Sequence, residues 1–245
     1  MDSVATWSSD ALLAPGALGP TLKMFLLFSI LSLVPSLLIM TTCYVRIAVV
    51  LGILRQAWGI QQFPPQNVIA GLSLMLSATV MWPVWSTAYE QGIRPYNEGT
   101  YATADERSDA FSTAVTETLI PLRNFMSRQI EATGNEAAID LLMQYHTQAS
   151  GKPADTPQYY EDVPLSVLLP AYMLSELKTA FVIGIQLFLP FVIIDLVVAA
   201  ITAASGLAML PPTLVSLPLK LLLFVLIDGW YLTVELLLNS IEPLV

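Results

Sequence analysis

The chain has 245 residues, of which 55% are hydrophobic and only 12% are charged, and its net charge is −9. A soluble domain carries about 25% charged residues, and the mean hydropathy here is +0.66, so the composition indicates a membrane protein. The apolar runs leave no room for a soluble catalytic domain, and the acidic balance argues against nucleic acid as a partner.

Residues 1–22 form a polar N-terminal segment that lacks the positively charged start of a standard secretory signal. We therefore expect the first apolar segment to be retained. Four apolar segments follow, and each is long enough to span a bilayer as a helix. They cover residues 24–45, 67–88, 163–204 and 215–238.

Prolines divide these segments into two pairs. Pro64-Pro65 and Pro211-Pro212 are typical of turns between helices. Pro35, Pro83 and Pro190 lie inside segments and should kink or break them, because proline removes a backbone donor. The sequence thus predicts an all-α integral membrane protein with two proline-turned helical hairpins and a helical polar insert between them. The predicted boundaries are 23–89 for the first hairpin, 90–162 for the insert and 163–245 for the second hairpin.

The insert is strongly acidic. It holds twelve acidic and five basic residues, a net charge of −7 out of the chain's −9. Between residues 105 and 149 its apolar residues recur at helical spacing, so we expect packed helices there. These residues are Phe111, Val115, Leu119, Leu122, Phe125, Met126 and Ile130.

The connection between the first two segments carries Arg46 and Arg55 and no acidic residue. The positive-inside rule therefore predicts that this connection is cytoplasmic. The insert and both termini would then lie on the periplasmic side of a bacterial inner membrane.

Five charged residues lie inside the most apolar third of the chain. An ionisable side chain in mid-bilayer costs about 2.5–3.5 kcal/mol, so we expect each of them to have a partner. They are Glu176, Lys178, Asp195, Lys220 and Asp228.

Spacing limits how these charges can pair. Glu176 and Lys178 are two positions apart and point to nearly opposite faces of a helix. Lys220 and Asp228 are separated by about 12 Å along a helix. We therefore hypothesise a contact between Glu176 and Lys220, and a second network that uses Lys178, Asp195 or Asp228. Alternatively, Glu176 and Lys178 are snorkelling groups at helix ends.

Motifs for enzymatic chemistry are missing. The single histidine, His146, excludes an HExxH site and any multi-histidine metal site. Gly151-Lys152 is followed by Pro153, so this stretch is not a nucleotide-binding loop. One enzymatic hypothesis remains, in which Asp195 and Asp228 act as acid and base on water, but the glycine-flanked context of an intramembrane aspartyl protease is absent. We predict that the chain is not an enzyme and needs no cofactor.

Long blocks of the sequence resemble a known family. The blocks are PSLLIMTTCYVRIAVVLGILRQAWGIQQFPP, MWPVW, SELKTAFVIGIQLFLPFVIIDLVVAA and MLPPTLVSLPLKLLLFVLIDGW. They are similar to the signature blocks of the FliP family, the export-gate subunit of bacterial flagellar type III secretion. Injectisome relatives share these blocks, but the long polar insert is more similar to the flagellar branch.

The resemblance implies a gate through which unfolded flagellar proteins cross the inner membrane. It also implies a pentameric ring with FliQ and FliR family subunits and other export-apparatus components, with the assembled subunits largely above the bilayer plane. Charges on family motif positions would then pack between helices or subunits, and Asp195 joins them through its place in the apolar run. The motif positions are Arg46, Glu176, Lys178, Lys220 and Asp228.

In the family, a methionine-rich turn after the third segment forms a gasket that closes the pore. Here that turn retains only Met209, and methionine adapts to irregular surfaces better than leucine or alanine does. We expect Leu207, Met209 and Leu210 to close the pore, and plain hairpin packing is the alternative.

A small ion- or solute-coupled secondary transporter is the main alternative function, with the charged residues as its coupling site. Such transporters usually have repeated halves, and the two hairpins here do not match in charge. A purely structural membrane scaffold is a third possibility.

Overall fold

A computed structural model describes residues 20–59, 64–150, 163–206 and 211–242. Within these ranges all regular structure is helical, which confirms the predicted all-α class. A π-helical turn, Tyr89–Ile93, joins α3 to α4 without a break. The helices are α1 (Pro20–Met40), α2 (Tyr44–Ala57), α3 (Gln66–Ala88), α4 (Arg94–Glu98), α5 (Ala104–Ala132), α6 (Ala137–Ser150), α7 (Leu165–Ala204), α8 (Pro212–Leu226) and α9 (Gly229–Asn239).

Two compact units divide the chain between Ile39 and Met40. The first unit contains nearly all of α1, a helix of 21 residues that is apolar on every side. At 1.5 Å per residue α1 is about 31 Å long, which matches the hydrocarbon thickness of a bilayer.

The second unit is built around α2, which the sequence analysis treated as a connection between two spans. That interpretation is wrong, because residues 44–57 form a helix that packs mainly against α7 and also against α3. Its apolar residues recur three and four positions apart and are buried on one face. They are Ile47, Val50, Leu51, Leu54 and Ala57.

The single prolines do not break the helices that contain them. Pro35, Pro83 and Pro190 all lie inside continuous helices. Both proline doublets lie where a new helix begins, as expected for turns: Pro65 precedes α3, and Pro211 precedes α8, whose first residue is Pro212.

The fourth predicted span is broken, and the break does not coincide with a proline. Helices α8 and α9 meet at 64°, and Asp228 between them has a left-handed φ of 50°. Gly229 follows because a Cβ there would lie 2.2 Å from the ring of Phe224. The break therefore depends on an aromatic ring that packs directly onto the backbone.

The insert is helical, as predicted, over α5 and α6. Helix α5 begins with a capping box in which Thr103 and Glu106 exchange hydrogen bonds with each other's backbone. Only the C-terminal half of α5 is packed as expected, since Phe125, Met126 and Ile130 are buried. The expectation fails for the N-terminal half, where Phe111, Val115 and Leu119 are exposed.

Two stretches of the described chain are long and apolar enough to cross a membrane, Gln66–Glu98 and Leu165–Ala204. The number rises to four if each of two broken helix pairs is counted as one span. Only 22% of the most apolar 18-residue stretch of α7 is buried. Most of that stretch is therefore available to lipid or to other subunits.

Candidate functional site

A buried ion pair joins α2 to α7. Arg46 Nε donates to Glu176 Oε2 over 2.9 Å, and Arg46 Nη2 lies 2.5 Å from Glu176 Oε1. Both side chains are fully buried. The two parallel bonds form the fork geometry in which a guanidinium holds a carboxylate most firmly.

The same arginine reaches the insert and the end of the second hairpin. Arg46 Nη1 donates to the backbone oxygen of Ser240, and Nη2 lies 3.4 Å from Gln129 Oε1. Gln129 Nε2 in turn donates to the backbone oxygen of Glu242 over 2.8 Å. We call Arg46, Gln129, Glu176, Ser240 and Glu242 the first cluster. It joins α2, α5, α7 and the residues after α9.

A second cluster joins α7 to α8 and to the end of α2. Lys220 Nζ lies 2.6 Å from Asp195 Oδ2 and donates to the backbone oxygen of Ala57 over 2.9 Å. Ser216 Oγ donates to Asp195 Oδ1 over 2.7 Å. A cation that binds a carbonyl in the last turn of α2 also complements the negative end of that helix.

Three aromatic rings pack beside the second cluster. Trp58, which follows Ala57, contacts Phe224 edge-on at a centroid distance of 4.8 Å and Trp230 at 5.5 Å. Phe224 and Trp230 also meet edge-on, at 5.5 Å. Edge-to-face contacts of this kind stabilise a packed site beyond the area that they bury, so this group holds the α8–α9 break against α2.

Lys178 lies apart from both ion pairs. Its Nζ donates to Asn135 Oδ1 over 2.5 Å, and Asn135 Nδ2 donates to Thr133 Oγ1 and Ser175 Oγ. Within the described part of the chain Lys178 forms no ion pair. The same holds for Asp228, which is exposed at the start of α9.

The predicted contact between Glu176 and Lys220 is wrong. Glu176 binds Arg46, and Lys220 binds Asp195 instead. Glu176 and Asp195 are nineteen positions apart on α7, which separates them by about 28 Å along the helix. The prediction failed because Arg46 was assigned to a loop and was therefore not considered as a partner.

The structure weakens the charge signal from which a cytoplasmic connection between the first two segments was predicted. Arg46 is a buried core residue that contacts the insert, so it does not belong to a charged connection. Arg55 remains near the end of α2, where its Nη1 lies 2.5 Å from Gln66 Oε1. One arginine is a weaker topological signal than two.

The predicted gasket residues Leu207, Met209 and Leu210 lie outside the described residues. Glu235, an exposed carboxylate on the apolar helix α9, was overlooked. Counting every acidic residue in the apolar runs would have found it.

The model of the FliP family matches residues 27–237. The chain belongs to the FliP family. The FliP-family match includes both ion pairs and the whole insert, and ends just before Ser240 and Glu242.

Several FliP-family relatives carry the name flagellar biosynthetic protein FliP. The Bacillus subtilis protein is 38% identical over 226 residues, which is 92% of this chain and 94% of that protein. The Treponema pallidum protein is 40% identical and the alignment covers 90% of this chain and 75% of that protein. The Caulobacter vibrioides protein is 42% identical, with 88% and 74% covered. These similarities give no support to the transporter alternative.

Proposed function

We propose that the chain is a subunit of the flagellar type III protein export gate, part of an oligomeric pore that passes unfolded flagellar proteins across the inner membrane. The observation that carries the proposal is the similarity, along nearly the whole chain, to proteins named flagellar biosynthetic protein FliP. The role is structural rather than enzymatic. The substrates move through the gate, and other components of the export apparatus supply the energy.

An outward apolar stripe on α7 supports an assembled state in a membrane. Six large apolar side chains recur every four residues along this helix, and all of them are exposed. Since such a stripe is unfavourable in water, it requires lipid or neighbouring subunits. The stripe consists of Phe181, Ile185, Leu189, Ile193, Val197 and Ile201. We propose that it meets further copies of the chain in a pentameric ring, together with FliQ and FliR family subunits.

The direct test is complementation of a flagellated bacterium that lacks its own FliP-family gene. We expect this chain to restore secretion of hook and filament proteins into the medium. A variant with the two-charge reversal Arg46→Glu and Glu176→Arg keeps the composition and serves as a stringent comparison. Normal assembly of the basal body and secretion without any copy of this chain would contradict the proposal.

The ring and its partners are tested by native mass spectrometry after co-expression with FliQ and FliR family proteins and gentle extraction. Five copies of the chain with those partners are the expected result. A monomer or simple dimer would contradict the pentamer.

We further propose that the insert lies on the periplasmic side. Tyr145 is one of the most exposed residues of α6, and the native Cys43 is buried. A membrane-impermeant thiol reagent added to intact spheroplasts should label Tyr145→Cys and leave the parent chain unlabelled. Labelling only after the membrane is opened would place the insert in the cytoplasm.

The closing role of Leu207, Met209 and Leu210 also belongs to this proposal. Replacement of all three by alanine removes the bulky apolar groups that would seal the channel around its substrate. We expect a larger ion leak across the membrane of cells that contain the assembled gate. An unchanged leak from an assembled triple variant would assign these residues to hairpin packing.

A further inference from the structure

Lys178 and Glu242 carry opposite charges and line the same cavity. This cavity has a volume of about 520 Å³ and lies between the α5–α6 junction, α7 and the residues that follow α9. Both residues are exposed, and neither forms an ion pair within the described ranges. A cation and a carboxylate thus share a cavity of the size that holds small ligands, and they do not neutralise each other directly.

Buried amide side chains support both charged residues. Lys178 Nζ donates to Asn135 Oδ1 over 2.5 Å, and Asn135, which is 5% exposed, donates in turn to Ser175 Oγ. The backbone N–H of Glu242 donates to Oε1 of the buried Gln129 over 3.3 Å. The Glu242 carbonyl accepts from Gln129 Nε2 over 2.8 Å. The folded chain therefore sets the positions from which the two charges approach the cavity.

The cavity lies where the polar surface of the insert meets the apolar surface of α7. Thr133 and Asn135, at the junction of α5 and α6, belong to its lining. The insert carries a net charge of −7, so it belongs outside the hydrocarbon layer. After Lys178 the next sixteen residues of α7 carry no charge, and Val182, which also lines the cavity, is 52% exposed. A membrane protein meets lipid headgroups at a boundary of this kind.

We infer that the cavity binds the headgroup of a zwitterionic phospholipid with a primary ammonium group, phosphatidylethanolamine. The lipid phosphate accepts hydrogen bonds from Lys178, which has three N–H donors and uses one of them within the protein. The ammonium group of the lipid donates to the carboxylate of Glu242. An acyl chain lies along the exposed apolar side chains that follow on α7, Val182 and Ile185.

The two charges together select this headgroup over others. A phosphate without an attached cation, as in phosphatidylglycerol, binds Lys178 but is repelled by Glu242. The quaternary ammonium of phosphatidylcholine has no N–H to donate to a carboxylate. Hydrogen bonds between ionised partners are about twice as strong as neutral ones, so losing one of them weakens binding measurably. This inference goes beyond the proposed function, because it requires a membrane but not an export gate.

Native mass spectrometry of the purified full-length chain tests the inference. The chain is extracted in a mild detergent and mixed with equal amounts of phosphatidylethanolamine, phosphatidylglycerol and phosphatidylcholine that have the same acyl chains. We expect one molecule of phosphatidylethanolamine to be retained about tenfold more tightly than either of the others, the factor that corresponds to one charge-assisted hydrogen bond. Equal retention of the three lipids overturns the inference, and this comparison needs no variant.

Single-charge variants test the role of each residue. Lys178→Gln removes the phosphate donor, so binding of phosphatidylethanolamine should weaken about tenfold. Glu242→Gln leaves only the cation in the cavity, so the preference should change to phosphatidylglycerol. The matched control is Glu235→Gln, which removes an exposed carboxylate of α9 that does not line the cavity and should keep the parent preference. An unchanged preference in Glu242→Gln, or the same change in Glu235→Gln, overturns the inference.

Soluble phosphoethanolamine distinguishes a lipid site from a site for a small free zwitterion. It has the same phosphate and ammonium groups but no acyl chains. We expect it to displace the lipid only at much higher concentration, because the apolar side chains of α7 contribute to lipid binding. Displacement at equal concentration would assign the cavity to a soluble zwitterion and overturn the lipid assignment.

The lipid site and the proposed function fail separately. Loss of the lipid preference in a chain that restores secretion in the complementation experiment overturns this inference alone. A chain that retains phosphatidylethanolamine selectively but does not restore secretion supports the lipid site and counts only against the proposed function.

Discussion

The ion pairs of the two clusters each join a cation to a carboxylate, but they differ in their surroundings. In the first cluster both Arg46 and Glu176 are completely buried, whereas in the second cluster Lys220 is 6% exposed and Asp195 is 43% exposed. A buried charge that loses its partner has no water to replace it, but a half-exposed carboxylate is hydrated immediately. The stability lost when one member of such a pair is removed therefore depends on how well water can reach the charge that remains.

The clusters also differ in what they join. The first connects α2 and α7 to the insert and to the residues after α9. The second connects α7 to α8, the helices that precede and follow residues 207–210. Arg46 and Ala57 are eleven residues apart, so the two clusters fix α2 at points about 16 Å apart. We interpret the first as a rigid anchor and the second as an adjustable contact between α7 and α8.

Among these changes, Glu176→Gln should cause the largest loss in the free energy of unfolding. Removal of one member of a fully buried pair typically costs about 3–5 kcal/mol, because the remaining charge is left unpaired. The expected result is a loss of that size in the free energy of unfolding, measured by denaturant titration in detergent. The matched control is Glu98→Gln, whose pair with Arg94 is exposed to water, so we expect a much smaller loss. Equal losses in the two variants would show that burial does not decide the outcome.

Removal of both charges of the first pair should cost less stability than removal of Glu176 alone. In the double variant Arg46→Met, Glu176→Leu, no unpaired charge remains, and apolar replacement of a buried pair is often neutral. The Ser240 carbonyl still loses its donor, so we expect a residual loss of about 1–3 kcal/mol. The same titration measures it. A double variant less stable than Glu176→Gln would mean that the arginine stabilises the fold mainly through its contacts outside the pair.

A smaller effect is expected for Lys220→Met in the second cluster. Asp195 can be hydrated, so the main loss is the donor to the buried carbonyl of Ala57. An unsatisfied buried acceptor costs about 1–3 kcal/mol, and we expect the lower part of that range. Thermal unfolding followed by circular dichroism checks the change against Glu176→Gln. A loss as large as that of Glu176→Gln would remove the proposed difference between anchor and adjustable contact.

The sequence predicted those parts of the fold that depend on local pattern. Apolar run length located α3 and α7 to within a few residues, and the helical spacing of the insert identified the stretch that contains α5 and α6 without separating the two helices. The proline doublets correctly marked where α3 and α8 begin. These features depend on neighbouring residues, which a reading along the chain detects directly.

The pairing of charges could not be predicted in the same way. Arg46 and Glu176 are 130 positions apart, and no local pattern identifies such partners. Burial of Arg46 was missed because α2 is too short for a membrane-length window, although its apolar spacing was visible. The break at Asp228 depends on the Phe224 ring over Gly229, a contact that only the folded chain reveals.

The smallest expected effect concerns Ser216, which gives Asp195 its second hydrogen bond. In Ser216→Ala the carboxylate keeps Lys220 and gains water, so the loss should be about 0.5–1 kcal/mol in the free energy of unfolding. The comparison variant is Gln129→Met, which removes a fully buried polar side chain from the first cluster and leaves the Glu242 backbone without its partner. If the anchor and the adjustable contact differ as proposed, Gln129→Met is the more damaging change in denaturant titration. A reversed order would assign the rigid role to the second cluster, which joins α7 to α8.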